Sequence, residues 1–132
     1  MVRQGVSTAI SKQSVIEFDT SSGHSEQLPG PTDLLAMALA ACLLKNVERF
    51  SHVLPFRYEQ ASVTVVAEQQ QAPPMLSRLT YSLHLVTDEP QHLVDLLHRN
   101  LQRHGAIYNT LAAACEVSGE VLPQRPHEIV AR

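Results

Sequence analysis

The side chain in this sequence best suited to covalent chemistry is the thiol of Cys42. A thiolate is a nucleophile and can be oxidised and then reduced, so one cysteine is enough to begin a redox cycle. Cys42 lies within Leu34 to Leu44 (LLAMALAACLL), and a lone cysteine in such an apolar stretch ordinarily serves as a small packing residue. The helix dipole adds little, because Cys42 falls about three turns inside its helix and that field fades within the first turn. A reactive thiolate here needs a cation or hydrogen-bond donors nearby. Asn46 and Arg49, four and seven residues on, share its helical face, and Lys45 is a turn away. The same three residues also read as the start of a solvated helix end.

Other constellations are missing from the sequence. It has no CxxC, HExxH or GxSxG and no phosphate-binding glycine loop. His92 and His98 are six apart on a predicted helix, as are His98 and His104. That spacing puts each pair on different faces, so no shared metal is expected and these histidines read as surface residues. No cofactor is expected either. A net charge of -3 with no run of Lys or Arg argues against nucleic acid and anionic membranes as partners. Leu34 to Leu44 is too short to span a bilayer at about 20 residues per crossing, and Met1 to Gln13 lacks the apolar stretch of a secretory signal. Two cysteines in such a chain read as free thiols. The expected location is the cytoplasm.

The elements that must position Cys42 follow from local pattern. Val6 to Ile10 and Ser14 to Phe18 alternate around a polar break and predict a β-hairpin. Asp19 to Gly30 reads as a surface loop, and Pro31 suits a first helical position. One long helix is predicted from Pro31 to Leu54, apolar on every side in its first half and amphipathic in its second, with Pro55 ending it. An all-round apolar helix must be enclosed, and 132 residues offer little material for that. A partner subunit is therefore expected to cover part of it, and an aspartate at Leu39 or Ala41 is expected to unfold the protein.

Phe56 to Glu68 and Arg78 to Thr87 predict two strands, with Gln69 to Pro74 as the tip of their hairpin. Asp88 as N-cap and Pro90 near N1 start a second helix that runs to about His104, with Gly105 at C′. Its buried stripe is Leu93, Leu96, Leu97 and Leu101. A short turn, Ala106 to Leu111, leads to a last strand around Cys115 to Leu122, and Pro123 to Arg132 is expected to be a loose tail. The length fits one domain spanning residues 1–132. The order predicts an α+β fold, with a long central helix and a second helix packed on one antiparallel sheet.

The segment Pro31 to Cys42, a proline-started helix leading through an alanine-rich stretch to a cysteine, resembles the signature of the OsmC/Ohr family. The order of elements is similar too, including the turn Ile107-Tyr-Asn-Thr-Leu111 before the final strand, and the likeness runs from about Val15 to Val121. This resemblance implies an intertwined homodimer with sites at the subunit interface. It implies Cys42 as the catalytic thiol, attacking an organic hydroperoxide to give a sulfenic acid that a second cysteine resolves and a dithiol donor restores. Two positions depart from the family pattern. The second cysteine normally opens the turn before the last strand, where this chain has Gly105-Ala106, and Cys115 comes about ten residues later. The carboxylate that starts the cysteine helix appears as Thr32, with Asp33 one place along. Arg3, Arg49 and Arg57 are candidates for the activating arginine, and Thr32, Asp33, Asn46, Arg49 and Tyr108 for activating or lining the site.

Three functional readings stay open, the third being a dimer that is purely a structural or interaction module. In the first, Cys42 reduces organic hydroperoxides in oxidative-stress defence with an external thiol or dithiol as reductant. In the second, a catalytically reduced dimer binds a small apolar ligand at its interface.

Overall fold

The computed structural model describes residues 2–128, and the chain divides into two compact units, Met1–Met37 and Ala38–Arg132. The first holds a three-stranded antiparallel sheet in the order β1-β2-β3, with β1 at Val2–Arg3, β2 at Val6–Ser11 and β3 at Ser14–Asp19. The predicted hairpin is β2–β3, closed by Lys12 and Gln13 with Ser11 opposite Ser14. Such two-residue connections favour positive φ, and Lys12 adopts a φ of 55°. The following loop is ordered by its own polar groups. Asp19 accepts from the N–H groups of Ser21 (2.8 Å) and Ser25 (3.1 Å), and the Ser21 bonds hold its carboxyl below the usual range. At the helix start the Asp33 carboxylate accepts from the Gly30 N–H (2.9 Å) while the Gly30 carbonyl accepts from the Leu34 N–H (3.0 Å). That reciprocal arrangement satisfies groups a helix terminus otherwise leaves unpaired.

Helix α1 spans Pro31–Val53, one residue short of the expected end. In the second unit it is followed by β4 (Gln60–Gln71), β5 (Pro74–Val86), α2 (Gln91–His104), α3 (Ala106–Ala112), β6 (Glu116–Gln124) and a 3-10 turn at Pro126–Glu128. The core is built from two periodicities. Leu39, Leu43, Val47 and Phe50 recur at helical spacing on α1, and Leu79, Tyr81, Leu83 and Leu85 recur at every second residue of β5. Val94, Leu97 and Leu101 of α2 join them. Each fully buried leucine contributes roughly 1.5–3 kcal/mol.

Several expectations are corrected. The sheet is not wholly antiparallel: β4 and β5 pair antiparallel, but β5 and β6 pair parallel, from Arg78 opposite Glu116 to Val86 opposite Gln124. The connection through α2 and α3 is long enough to return the chain to the starting end of β5, which a tight turn cannot do. The segment after Gly105 is a seven-residue helix, α3, and not a turn. The glutamine run belongs to the strands, since Gln71 pairs with Pro74 and only Ala72-Pro73 forms the tip.

Asp88 does not cap α2; Pro90 holds that position, and the Glu89 N–H bonds the Thr87 hydroxyl (3.1 Å), which itself donates to the Arg57 carbonyl (2.6 Å). Leu93 and Leu96 are half-buried, while Val94 shares the buried stripe with Leu97 and Leu101. α1 is not enclosed on every side within one chain, as Leu35 and Met37 are 38% and 56% exposed and Ala41 is exposed as well. His98 is not a surface histidine: it is half-buried and its Nε2 lies 2.6 Å from the Tyr81 hydroxyl. The segment expected to be a loose tail contributes Pro123 and Gln124 to β6, and the Arg125 guanidinium donates to the Glu89 carbonyl (3.1 Å). Residues 129–132 of that segment lie outside the described residues. Among the described residues no helix is long and apolar enough to cross a membrane.

Candidate functional site

Cys42 sits on the α1 face adjacent to the core stripe, and its half-buried side chain lines a cavity of about 720 Å³. Three alanines and an isoleucine make the apolar part of the wall: Ala38 and Ala41 from α1, and Ala106 with Ile107 from the start of α3. Lys45, Arg49, Glu48 and His104 supply its charged and titratable rim, and Asn46 completes it. Spacing of three and four residues along α1 brings Cys42, Lys45, Asn46 and Arg49 to one side.

Asn46 is 8% exposed and its amide nitrogen donates to the Cys42 carbonyl (3.0 Å). The same nitrogen lies 3.6 Å from the Cys42 sulfur, the one hydrogen bond that sulfur receives among the described residues. Bonding to a carbonyl fixes which end of the amide is nitrogen. The Asn46 oxygen takes no hydrogen bond from the described residues, and no fully enclosed side-chain polar atom among them is unpaired, so that oxygen is not fully enclosed.

Gly105 packs directly behind the thiol. A Cβ there would lie 3.0 Å from the Cys42 sulfur, 3.0 Å from the Tyr108 Cβ and 3.2 Å from the Leu101 carbonyl. Its φ of -79° is ordinary, so close approach and not a left-handed cap explains the glycine. This corrects its reading as a C′ residue.

The carboxylate at the rim is already engaged. Glu48 accepts from the Tyr58 hydroxyl and from His52 (3.1 Å), and both bonds hold it below the usual carboxylate range. In return Tyr58 is pushed up to about 12. Lys45 and Arg49 form no ion pair among the described residues.

The other candidates lie elsewhere. Asp33 is spent on the start of α1, and neither it nor Thr32 lines the cavity. Tyr108 is buried; its hydroxyl donates to the Val117 carbonyl (3.3 Å) and its ring stands edge-on to Tyr81 at 6.0 Å. It is a packing residue. Arg57 is exposed and outside the lining, and the Arg3 side chain lies outside the described residues. Cys115 is a free thiol that donates to the Leu111 carbonyl (3.5 Å) and does not line the cavity. His104, Glu48, Ala106 and Ile107 escaped sequence reasoning. Glu48 was within reach of it, seven residues before Pro55 on a recognised helix, whereas the others are joined to Cys42 only by the fold. No group of three or more His, Cys, Asp or Glu among the described residues is arranged to hold a metal.

The sequence matches the family model described as "OsmC-like protein" over residues 23–120. The chain belongs to the OsmC-like family. Its OsmC-like fold is similar to that of an OsmC-like protein from Mycoplasma pneumoniae (TM-score 0.81, 18% identity, covering 89% of this chain and 88% of that one). It is also similar to an organic hydroperoxide resistance protein from Legionella pneumophila (TM-score 0.63, 18% identity, 81% and 82% covered). The organic hydroperoxide resistance protein OhrB of Bacillus subtilis is a further neighbour (TM-score 0.64, 12% identity, 91% and 98% covered). No curated protein matches the sequence. The α+β OsmC-like fold expected from the sequence is thus the fold of this chain.

Proposed function

We propose that this OsmC-like protein reduces organic hydroperoxides through Cys42, in the cytoplasm and as part of oxidative-stress defence. The observation that carries the reading is a thiol opening on a cavity of about 720 Å³ with a wall of Ala38, Ala41, Ala106 and Ile107. That volume suits a small organic ligand, and an apolar wall favours an alkyl or aryl peroxide over hydrogen peroxide. The Cys42 thiolate attacks the terminal peroxide oxygen, forming the S–O bond as the O–O bond breaks. The departing alkoxide takes a proton and leaves as the alcohol. The Asn46 amide, donating toward the sulfur, stabilises the thiolate.

The Cys115 thiol donates to the Leu111 carbonyl and does not line the cavity, so resolution comes from an external thiol or dithiol. A sulfenic acid left uncaptured climbs to the irreversible sulfinic state. The active form is a homodimer, in which the partner covers Leu35 and Met37, exposed in the single chain.

The test is a dithiol-coupled assay with cumene hydroperoxide. Wild type and Cys115→Ser should turn over at similar rates and accumulate sulfinic acid on Cys42 at modest peroxide excess. Non-reducing mass spectrometry should find no Cys42–Cys115 bridge, and sedimentation should give a dimer. Equal rates in wild type and Cys42→Ser would remove the enzyme. A second reading then takes its place: a dimer binding a small apolar ligand, favoured by a sulfur whose only donor among the described residues is a neutral amide at 3.6 Å.

A further inference from the structure

Around the cavity the charges do not cancel. Lys45 and Arg49 stand on its rim without ion-pair partners among the described residues, and His104 stands with them. The rim carboxylate, Glu48, is bonded by Tyr58 and His52. An apolar peroxide makes no use of two such cations. The Asn46 oxygen, on a side chain only 8% exposed, is likewise an acceptor with no donor among the described residues. A cation pair, a held acceptor and a thiol around one cavity describe a binding site for a molecule with its own carboxylate.

We infer that the reductant of this site is a low-molecular-weight thiol bearing a carboxylate, held by Lys45 and Arg49 while its sulfur meets that of Cys42. The inference rests on the peroxidase reading and assigns its second half-reaction. The incoming thiolate attacks the Cys42 sulfenic sulfur, so an S–S bond forms and the S–O bond breaks. The departing hydroxide takes the proton given up by the thiol and leaves as water. The Asn46 oxygen accepts the sulfenic O–H beforehand and orients it. A second thiol then attacks the outer sulfur of the mixed disulfide. The Cys42 thiolate is released, and two thiols have become one disulfide for each peroxide reduced.

Gly105 leaves space beside the sulfur that any other residue would restrict. Cys115, bonded to Leu111, does not compete.

The experiment reads the thiol step without peroxide. In full-length Cys115→Ser protein, Cys42 is converted to its mixed disulfide with 2-thiopyridine. Release of pyridine-2-thione is timed with 3-mercaptopropionate, 2-mercaptoethanol and cysteamine. Rates are corrected for thiolate fraction and divided by those on the same disulfide of an unstructured peptide. At low ionic strength the anionic thiol should exceed the cationic one by about tenfold, the lower end of what a charged cleft gives. The ratio should fall toward one near 1 M salt, where the screening length is about 3 Å.

Lys45→Gln with Arg49→Gln should abolish the preference, bringing the anionic thiol's rate down to that of the cationic one. Each single variant should lose part of it, and serves if the pair does not fold. Equal rates for the three thiols in wild type, or a preference that survives in the substituted proteins, would overturn the inference. A protein inert to cumene hydroperoxide that keeps the preference would lose the peroxidase reading alone.

Discussion

Helix α1 carries two neighbouring faces that are both apolar in sequence, and they have opposite fates. One presents Leu39, Leu43, Val47 and Phe50 and is closed by β5 and α2. The other presents Ala38, Ala41 and Cys42 and borders a cavity. Size separates them more than polarity does. Long side chains fill the space between elements, while alanines leave it open beside the Cys42 sulfur. An alanine-rich stretch can therefore mark a wall as readily as a core, and the hydropathy of α1 alone cannot distinguish the two.

The sharpest test of that contrast is a charge on each face. Leu39→Asp buries a carboxylate at a 0% exposed position and should unfold the protein, at a cost of several kcal/mol against a total of about 5–15 kcal/mol. Ala41→Asp, two residues on at an exposed position, should still fold at a helix-propensity cost of under about 1 kcal/mol, the reverse of what the sequence alone suggests. Thermal melts of the two variants decide it, and similar melting would erase the distinction.

A somewhat smaller effect is expected behind the sulfur. In Gly105→Cys the new Cβ lies 3.0 Å from the Cys42 sulfur, close to the spacing across a disulfide. Mild oxidation should join Cys42 to the introduced thiol with loss of two hydrogens. The oxidised form should then be more stable than the reduced one by about 2–4 kcal/mol. Intact-mass measurement and denaturant titration check both parts.

Filling the cavity is a subtler probe. Ala41→Leu should leave stability within about 0.5 kcal/mol yet slow a bulky maleimide at Cys42 more than iodoacetamide. No slowing of either reagent would mean that they enter by another route, and equal slowing would mean that cavity width is not what limits them.

The smallest effect lies on the core side and concerns pH. Burial lowers the His98 pKa from its ordinary value, Asp95 opposing, while Tyr81 and Gln102 are its neutral neighbours. The unfolded chain therefore binds that proton more readily. Stability should be flat above about pH 6.5 and decline below it until folded His98 protonates as well. His98→Gln should show a shallower decline between pH 7 and 5 in melts, and an unchanged slope would exclude His98 as the cause.

How far the sequence reaches can be seen residue by residue. Pro31 at the helix start, the alternation of Leu79, Tyr81, Leu83 and Leu85, and the hairpin around Lys12 follow from local rules, and the structure holds them. Asn46 and Arg49 were legible as neighbours of Cys42 because helical spacing is local. Cys42 itself needed the family resemblance to stand out from a packing cysteine. Local pattern does not carry strand direction, so the parallel pairing of β6 was invisible, as was the meeting of Ile107 and His104 with α1. Gly105 shows a related failure. At a helix end a glycine wanted for close contact looks the same as one wanted for its φ.

The parallel pairing of β5 with β6 also has a consequence for synthesis. β4 and β5 close on a two-residue tip and can zip as soon as both emerge from the ribosome. The other edge of β5 must wait from Arg78 until Glu116 is made, 38 residues later, or roughly 2–8 s at typical translation rates of about 5–20 residues per second. Through that interval a leucine-rich strand presents unpaired backbone groups to other nascent chains. Arg78 stands on this waiting edge, paired with Glu68 (3.4 Å) on the strand already made and later with Glu116 (3.1 Å) on the one to come. Its charge guards the edge against strangers until the last strand arrives.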